Sequence, residues 1–503
     1  MTYNSAPRLE LISLSKSFPK VRANDQISMR LMPGEIHAVI GENGAGKSTL
    51  MNIIYGVLTP DSGQIIWEGR QVSIDSPQKA AKLGIGMVFQ HFCLLETLSV
   101  RDNLRLGLRN IEISHKELED KVTALANDYG LSVDMNSMVA DLTAGQKQRV
   151  EIIRCLLQKS RLLILDEPTS VLTPTETDQL MDILQKLAAQ NCSVLFISHK
   201  LREVKHLCHT ATVLRAGKVV CKINPKTASI NEIAEALLGK HIDISRRFTA
   251  GNPGPLRFRL ESVCTSASGG RGNRLQDISF DVHSGEILGI AGVAGNGQDE
   301  LIDLINGELP ACNGAVYLEG LNVSNLHPQM RRRAGIACLP VDRLGQSAVA
   351  TYSLEQNYLL TASATEKSVL IDWKKIRACT EKICTGFNVV APDTRVAAKS
   401  LSGGNMQKFL VGRELSQARK LLVCYNPTWG IDLGSARQIL QAIVDQRDAG
   451  LAVILISEDL DELMSVSDRI GALCGGRMSP TAKTIDVSIS QIGQCDALEN
   501  EAA

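Results

Sequence analysis

No stretch of the sequence approaches the roughly 18–20 consecutive apolar residues that a bilayer-crossing helix needs, so the chain by itself offers no path through a membrane. The first residues, MTYNSAPRLE, lack an apolar signal-peptide core, and the expectation is a chain not marked for secretion. An excess of one charge is missing too. The 54 Lys+Arg are matched by 54 Asp+Glu, which argues against a polyanion-binding surface as the main business of the protein. Aromatic residues make up only 4%, too few for an aromatic-lined groove that stacks single-stranded nucleic acid. No two of the 13 cysteines are spaced C-x-x-C, and most sit in apolar runs such as IIRCLLQ and LLVCYN. The closest pair, Cys379 and Cys384, has no second pair or histidine cluster nearby. Their expected role is that of small buried apolar residues in a reducing compartment, not zinc ligands or disulfides.

What is present is a soluble globular composition, 44% hydrophobic and 21% charged, with chain enough for more than one core. At roughly 150 residues per domain the length of 503 suggests about three units. Internal repetition revises that number. The segment PGEIHAVIGENGAGKSTLMNIIYGVLTPDSGQIIWEG recurs as SGEILGIAGVAGNGQDELIDLINGELPACNGAVYLEG. Gly41 pairs with Gly292 and Gly84 with Gly335, each 251 residues on. Leu142 pairs with Leu401, Asp166 with Tyr425 and His199 with Glu458, each 259 residues on. One constant offset followed by a slightly larger one means two copies of one domain, with a small insertion in the second. The expected boundaries are 7–240 and 256–495, joined by a Gly- and Pro-containing linker at 241–255.

Each copy alternates strand and helix signals. In the first, EIHAVI, IGMVF, RLLILD and SVLFIS are short apolar runs, as in strands buried on both faces of a parallel sheet. KSTLMNIIYG and TETDQLMDILQKLAAQ carry helical spacing, and ATVLRAGKVV reads as a hairpin. The fold class that follows is α/β, with a mainly parallel sheet.

The first copy holds reactive groups. Residues 41–49, GENGAGKST, fit G-x-x-x-x-G-K-[ST] between an apolar strand and a helical segment. Across Gly41, Glu42, Asn43, Gly44, Ala45, Gly46, Lys47, Ser48 and Thr49, backbone N–H groups can turn inward around phosphate oxygens, aided by the helix N-terminus. Lys47 can reach the β- and γ-phosphates of a nucleotide, and the Ser48 hydroxyl can coordinate Mg²⁺. In RLLILDEP, Asp166 and Glu167 fall at the carboxyl end of an apolar strand, where ligands sit in open α/β sheets. Asp166 would hold Mg²⁺ and Glu167 would activate the attacking water. Standing alone, such a pair could equally be solvated surface.

The phosphate loop, Gln90 in GMVFQ, the strand LLILDEPTS, His199 in FISH and LSGGN in the second copy together resemble the ABC ATPase cassette. The resemblance spans about residues 7–240 and 256–480 and implies two tandem P-loop domains, each with a parallel core, a helical subdomain and an antiparallel β portion. It implies that Gln90 senses the γ-phosphate and the metal, and that His199 holds the γ-phosphate and the attacking water. Phe18 in KSFPKVRA matches the adenine-stacking aromatic of the family, with a core-packing role as the alternative. ATP and Mg²⁺ are the implied ligands.

The second copy departs from the pattern at nearly every reactive position. Gln298 and Asp299 replace the lysine and the hydroxyl, Tyr425 and Asn426 replace the acids, Val341 falls at Gln90, and Glu458 replaces His199. Loss of a cation beside an added carboxylate disfavours a triphosphate, although backbone-mediated nucleotide binding stays open. The signature motifs run the other way. The first copy has LTAGQ at 142–146, whereas the second keeps LSGGN with Ser402, Gly403 and Gly404. ABC cassettes pair head to tail, so the resemblance implies one hydrolytic site in which the intact first loop meets the intact LSGGN.

Two fused cassettes with a decayed second half resemble the ATPase subunit of bacterial importers for simple sugars and nucleosides. GENGAGKSTLMNIIYG, LGIGMVFQHFCLLETLSVRDNL and GVAGNGQ place the chain nearer the nucleoside, lipoprotein-dependent branch. The implied partners are two membrane permeases, docking near His91–Asn103, and indirectly a substrate-binding lipoprotein; no nucleic acid is expected. A solvated helical subdomain is the alternative for that region. The implied location is the cytoplasmic face of the bacterial inner membrane. A soluble ABC protein acting on ribosomes or in DNA repair is the competing class, but its long charged linker, coiled coil or zinc spacings are missing here.

Overall fold

The structure is a computed structural model that describes residues 6–487 except 20, 90–91, 109–113, 170–171, 173, 199, 240–247, 267–273, 293–294, 341–344 and 365–369. Gln90, His91, His199 and Val341 therefore lie outside the described residues. The chain divides into two compact units, Met1–Ser245 and Arg246–Ala503.

The strands of unit 1 are β1 (Leu9–Phe18), β2 (Val21–Leu31), β3 (Ile36–Gly41), β4 (Ser62–Trp67), β5 (Arg70–Val72), β6 (Ile85–Val88), β7 (Leu162–Asp166), β8 (Ser193–Ile197), β9 (Thr210–Arg215) and β10 (Lys218–Ile223). Its helices are α1 (Lys47–Ile54), α2 (Pro77–Leu83), α3 (Val100–Gly107), α4 (His115–Tyr129), α5 (Ala144–Leu157), α6 (Pro174–Ala189), α7 (Leu201–Leu207) and α8 (Ile230–Leu238). One sheet runs β10-β9-β3-β8-β7-β6, parallel except for β10, which closes the hairpin read from ATVLRAGKVV. Every residue of β3, β6, β7 and β8 is buried, which explains their largely apolar sequences, broken by His37, Asp166 and Ser193. A second, antiparallel sheet runs β2-β1-β4-β5. Leu9, Leu11 and Ile27 from it, Leu50 and Ile54 from α1, and Val39, Ile164 and Leu195 from the parallel sheet share one core. Burial of these faces fixes α1 against the parallel sheet, and with it the loop that leads into α1.

Unit 2 repeats the plan with strands β11 (Leu256–Thr265), β12 (Ile278–His283), β13 (Ile287–Ala291), β14 (Ala311–Leu318), β15 (Leu321–Asn322), β16 (Ile336–Leu339), β17 (Leu421–Tyr425), β18 (Ala452–Ser457), β19 (Arg469–Cys474), β20 (Arg477–Met478) and β21 (Ala482–Lys483). Its helices are α9 (Gln298–Asn306), α10 (Pro328–Ala334), α11 (Leu354–Ala362), α12 (Trp373–Gly386), α13 (Gly403–Gln417), α14 (Leu433–Asp448) and α15 (Leu460–Val466). The parallel order β16-β17-β18-β13-β19 matches β6-β7-β8-β3-β9 of unit 1. Residues 248–255 lie against unit 2: the Phe248 N–H donates to Ser465, and Arg447 donates to the Thr249 carbonyl.

The described cysteines are free thiols, and Cys155, Cys192, Cys208, Cys338 and Cys424 are buried as expected. Cys93 and Cys312 are exposed instead, Cys93 in the loop after β6 and Cys312 in the exposed first half of β14. No helix among the described residues is long and apolar enough to cross a membrane.

Candidate functional site

The loop between β3 and α1 is shaped by two left-handed glycines, Gly44 (φ 82°) and Gly46 (φ 97°). A side-chain carbon on Gly46 would stand 2.1 Å from the Ala23 carbonyl oxygen, so only glycine fits there. Asn24 on β2 is buried and donates from Nδ2 to the Gly46 carbonyl at 3.1 Å, tying the antiparallel sheet to the loop. Phe18 closes β1 of the same sheet and is 43% exposed, which removes its core-packing alternative.

Lys47 opens α1, and its ammonium donates to the Gly41 carbonyl at 2.7 Å and the Glu42 carbonyl at 3.0 Å. Burial lowers its pKa, while the charges of Glu167, Asp166 and Glu42 act in the opposite sense. Ser48 donates a hydrogen bond to the Asp166 carboxylate at the end of β7. Burial and neighbouring Glu167 raise the Asp166 pKa, and Lys47 and Ser48 counter them. Loop, lysine, hydroxyl and both acids thus meet at the carboxyl ends of β3 and β7. A hydroxyl beside a carboxylate is the hard oxygen donor set that suits Mg²⁺.

Glu167 has φ 49°, a conformation that costs a non-glycine residue about 1–2 kcal/mol. Its N–H donates to the Ile197 carbonyl at 3.0 Å, which pins the turn to β8. Beneath it, Thr169 and Ser198 both donate to Glu203, at 2.8 and 3.0 Å. Tyr55, at the end of α1, stacks edge-on against Phe89, the residue before Gln90, with ring centroids 5.7 Å apart.

Unit 2 preserves this backbone with different side chains. Gly295 (φ 91°) and Gly297 (φ 109°) repeat the left-handed pair, and Asn426 (φ 45°) repeats the strained turn, its N–H donating to the Ile456 carbonyl at 2.8 Å. Gln298 is 1% exposed and accepts from the Asn296 N–H at 2.9 Å, so an uncharged amide fills the loop. Leu275 stands where unit 1 has Asn24. Asn426 and Glu458 bond each other reciprocally, at 3.3 and 3.1 Å. Asp299 is raised by burial, and Asp303 is raised to about 6 by burial and by Glu308, Asp299 and Glu300. Acidic Asp299 and Glu300 stand in the first turn of α9, where unit 1 opens its helix with the Lys47 cation.

The two signature segments also differ. Thr143 caps α5 and Gln146 folds back to complete the cap. The Glu176 carboxylate lies over Gly145, where an added side-chain carbon would come within 2.1 Å of it, and accepts from Thr143 at 3.4 Å. The N-terminus of α5 therefore already faces an anion. In unit 2, Ser402 caps α13, Ser402 and Gly403 are exposed, and uncharged Ser435 stands at the position of Glu176.

Of the docking region, Leu95 is 54% exposed, whereas Asn103 is buried and organises the loop. Asn103 accepts from the Leu95 N–H at 2.8 Å and donates to the Leu95 and Ser99 carbonyls at 3.0 Å. Asn357 makes the same bonds to Val349 and Ser353 in unit 2. Sequence reasoning missed Asn24, Tyr55, Glu176 and Glu203; for Asn24 the polar-to-apolar exchange with Leu275 between the copies was the available signal.

Residues 24–170 and 275–429 each match the ABC transporter family. The chain is similar to the nucleoside import ATP-binding protein NupA of Lactococcus lactis subsp. cremoris, 36% identical over 477 residues, which cover 93% of this chain and 94% of that one. It is similar to the guanosine import ATP-binding protein NupO of Bacillus subtilis, 36% identical over 495 residues, with 96% of each chain covered. It is also 37% identical to the glucose import ATP-binding protein TsgD13 of Haloferax volcanii over 526 aligned positions, 97% of this chain and 95% of that one.

Proposed function

The chain belongs to the ABC transporter family and is an ABC-type ATPase, and on that footing we propose that it drives nucleoside uptake through two separate membrane permeases, using one hydrolytic site. The observation that carries the single site is the charge contrast between the loops, Lys47 with Asp166 and Glu167 against Gln298 with Tyr425 and Asn426. The nucleoside cargo is supported by NupA and NupO, and a simple-sugar cargo by the equally similar TsgD13.

In this reading the N–H groups of 41–49 and the Lys47 ammonium bind the phosphates, and Phe18 stacks on the base. Ser48, Asp166 and Gln90 hold Mg²⁺, which when bound neutralises charge on the phosphate oxygens. Glu167 accepts the proton of the attacking water, and His199 orients that water against the γ-phosphate. Ser402 caps α13 and is exposed with Gly403 at its start, and a helix N-terminus of this kind can accept phosphate. The apolar tip at Leu95 receives a permease segment, placing the protein on the cytoplasmic face of the membrane.

The test is ATP hydrolysis by the chain assembled with its permeases in lipid vesicles, across nucleosides, purine bases and pentoses. Stimulation by nucleosides is expected. Stimulation by pentoses alone replaces the cargo, and no stimulation by any of them removes the import reading.

A further inference from the structure

Helix α5 of unit 1 carries a polar stripe at Lys147, Glu151, Arg154 and Gln158, a spacing of four, three and four that places all four on one helical face. All four side chains bond the region that follows Gln90. The Glu151 carboxylate accepts from the Cys93 N–H at 2.8 Å, and Arg154 donates to the Cys93 carbonyl at 3.0 Å while also pairing with Glu151. Lys147 pairs with Glu96 at 2.8 Å, and Gln158 donates to the Gly107 carbonyl, at the end of α3, at 2.8 Å. The stem of Arg154 also lies against Gly107, where an added side-chain carbon would meet it at 2.7 Å. Glu151 is fully buried. Separating the loop from the helix would leave the Cys93 N–H and one oxygen of the buried Glu151 carboxylate without their bond, the other oxygen keeping Arg154, at a cost of about 1–3 kcal/mol.

The matching helix of unit 2 lacks the first half of this stripe. Met406 and Leu410 replace Lys147 and Glu151, and Ala350 replaces Glu96. Of the second half, Arg413 turns to Glu414 and reaches the Asn357 carbonyl only at 3.4 Å, and Gln417 accepts from Arg332. The backbone frame nevertheless agrees between units. Val139 and Ala140 donate to the Leu98 and Glu96 carbonyls in unit 1, as Ala398 and Lys399 do to the Tyr352 and Ala350 carbonyls in unit 2. The docking loop has thus kept its backbone frame in both units, while the Lys147 and Glu151 attachments of unit 1 cannot form at Met406 and Leu410.

We propose that the Lys147–Glu151–Arg154–Gln158 stripe is a transmission element that makes the docking loop, α3 and α5 of unit 1 move as one body, so that a membrane partner bound at the loop controls hydrolysis through this unit. The inference rests on the permease docking proposed above. These are positioning residues, which hold the segment next to Gln90. Two bonds to opposite poles of the Cys93 peptide groups fix that segment along and across α5, which a single contact would not.

The test compares ATP hydrolysis of wild type, Lys147→Met, Lys147→Arg and Glu151→Gln, each as isolated full chain and as permease assembly in vesicles, with and without uridine, guanosine or ribose. The expected result is an unchanged basal rate in the isolated chains and a loss of about fivefold or more in stimulation for Lys147→Met and Glu151→Gln, with Lys147→Arg retaining it. Lys147 pairs with an exposed partner, so Lys147→Met leaves the fold intact even where Glu151→Gln does not. Wild-type stimulation in both Lys147→Met and Glu151→Gln overturns the transmission role, as does a parallel fall of basal and stimulated rates. A wild-type assembly that no substrate stimulates removes the docking reading, and the inference with it; that outcome is distinct because it appears without any substitution.

Discussion

At the start of α1, Gly44 and Gly46 turn the backbone around Lys47, and at the start of α9, Gly295 and Gly297 make the same turn around Gln298. At the end of β7 and of β17 the chain enters the same left-handed residue, Glu167 in one unit and Asn426 in the other. Backbone geometry has outlasted side-chain chemistry. The reason is that the loop belongs to the packing: Gly41 and Gly292 abut the carbonyls of Leu214 and Leu473, at 2.6 Å from where a side chain would begin. A change there would disturb the core of the unit, whereas exchanging Lys for Gln disturbs only what the loop can bind. Similarity of fold between the units therefore says little about similarity of activity.

The sharpest way to break the comparison is a paired substitution. Lys47→Ala is expected to lower phosphate release by about 100-fold or more, as removal of a charge-stabilising donor does, whereas Gln298→Ala leaves the rate nearly unchanged. Equal losses would mean that both loops turn over nucleotide. Next in size is the backbone. Gly46→Ala forces a side chain against the Ala23 carbonyl at φ 97°, and a loss of about 1–3 kcal/mol together with nucleotide binding is expected in thermal unfolding and titration. Gly44→Ala, with nothing within 4 Å, should cost only the φ penalty of about 1 kcal/mol.

A pH-dependent effect tests the support beneath the two sites. Thr428 and Ser457 donate to Glu462 as Thr169 and Ser198 do to Glu203, but Asp459 replaces Lys200 beside it. Burial and the Asp459 charge raise the Glu462 pKa from 4.5 to about 8. Between those values the folded chain keeps a proton that the unfolded chain has released, so unit 2 loses stability as pH rises through that window and is unaffected below it. Denaturation at about pH 6 and about pH 8, followed by Trp373 and Trp429 fluorescence with Trp67 replaced by Phe, should show this slope, and Glu462→Gln should flatten it. A slope that survives Glu462→Gln would place its origin elsewhere.

Much of this site was legible because its signals are local. The spacing of Gly41 to Ser48 and the acids ending RLLILDEP each lie within one strand–turn–helix passage, where side-chain type and backbone turn are read together. The all-buried strands were legible for the same reason, as short and largely apolar runs. The β1–β2–β4 sheet was expected only through the family resemblance, because its pairing of Leu9 with Leu31 and Trp67 reaches across β2, β3 and α1 and leaves only an irregular apolar alternation. Asn103 read as part of a docking surface, yet its neighbours turn it inward to hold the loop.

The sequence by itself determined the duplication, the nucleotide-binding loop and the concentration of reactive groups in the first copy, since each depends on which residues stand at fixed short spacings. Only the tertiary structure decided that Glu176 covers the first signature, that Asn24 braces the phosphate loop and that Glu151 and Arg154 grip Cys93. Those contacts join residues some twenty to sixty positions apart, and they exist because burial of the strand and helix faces brings the carriers of each charge together.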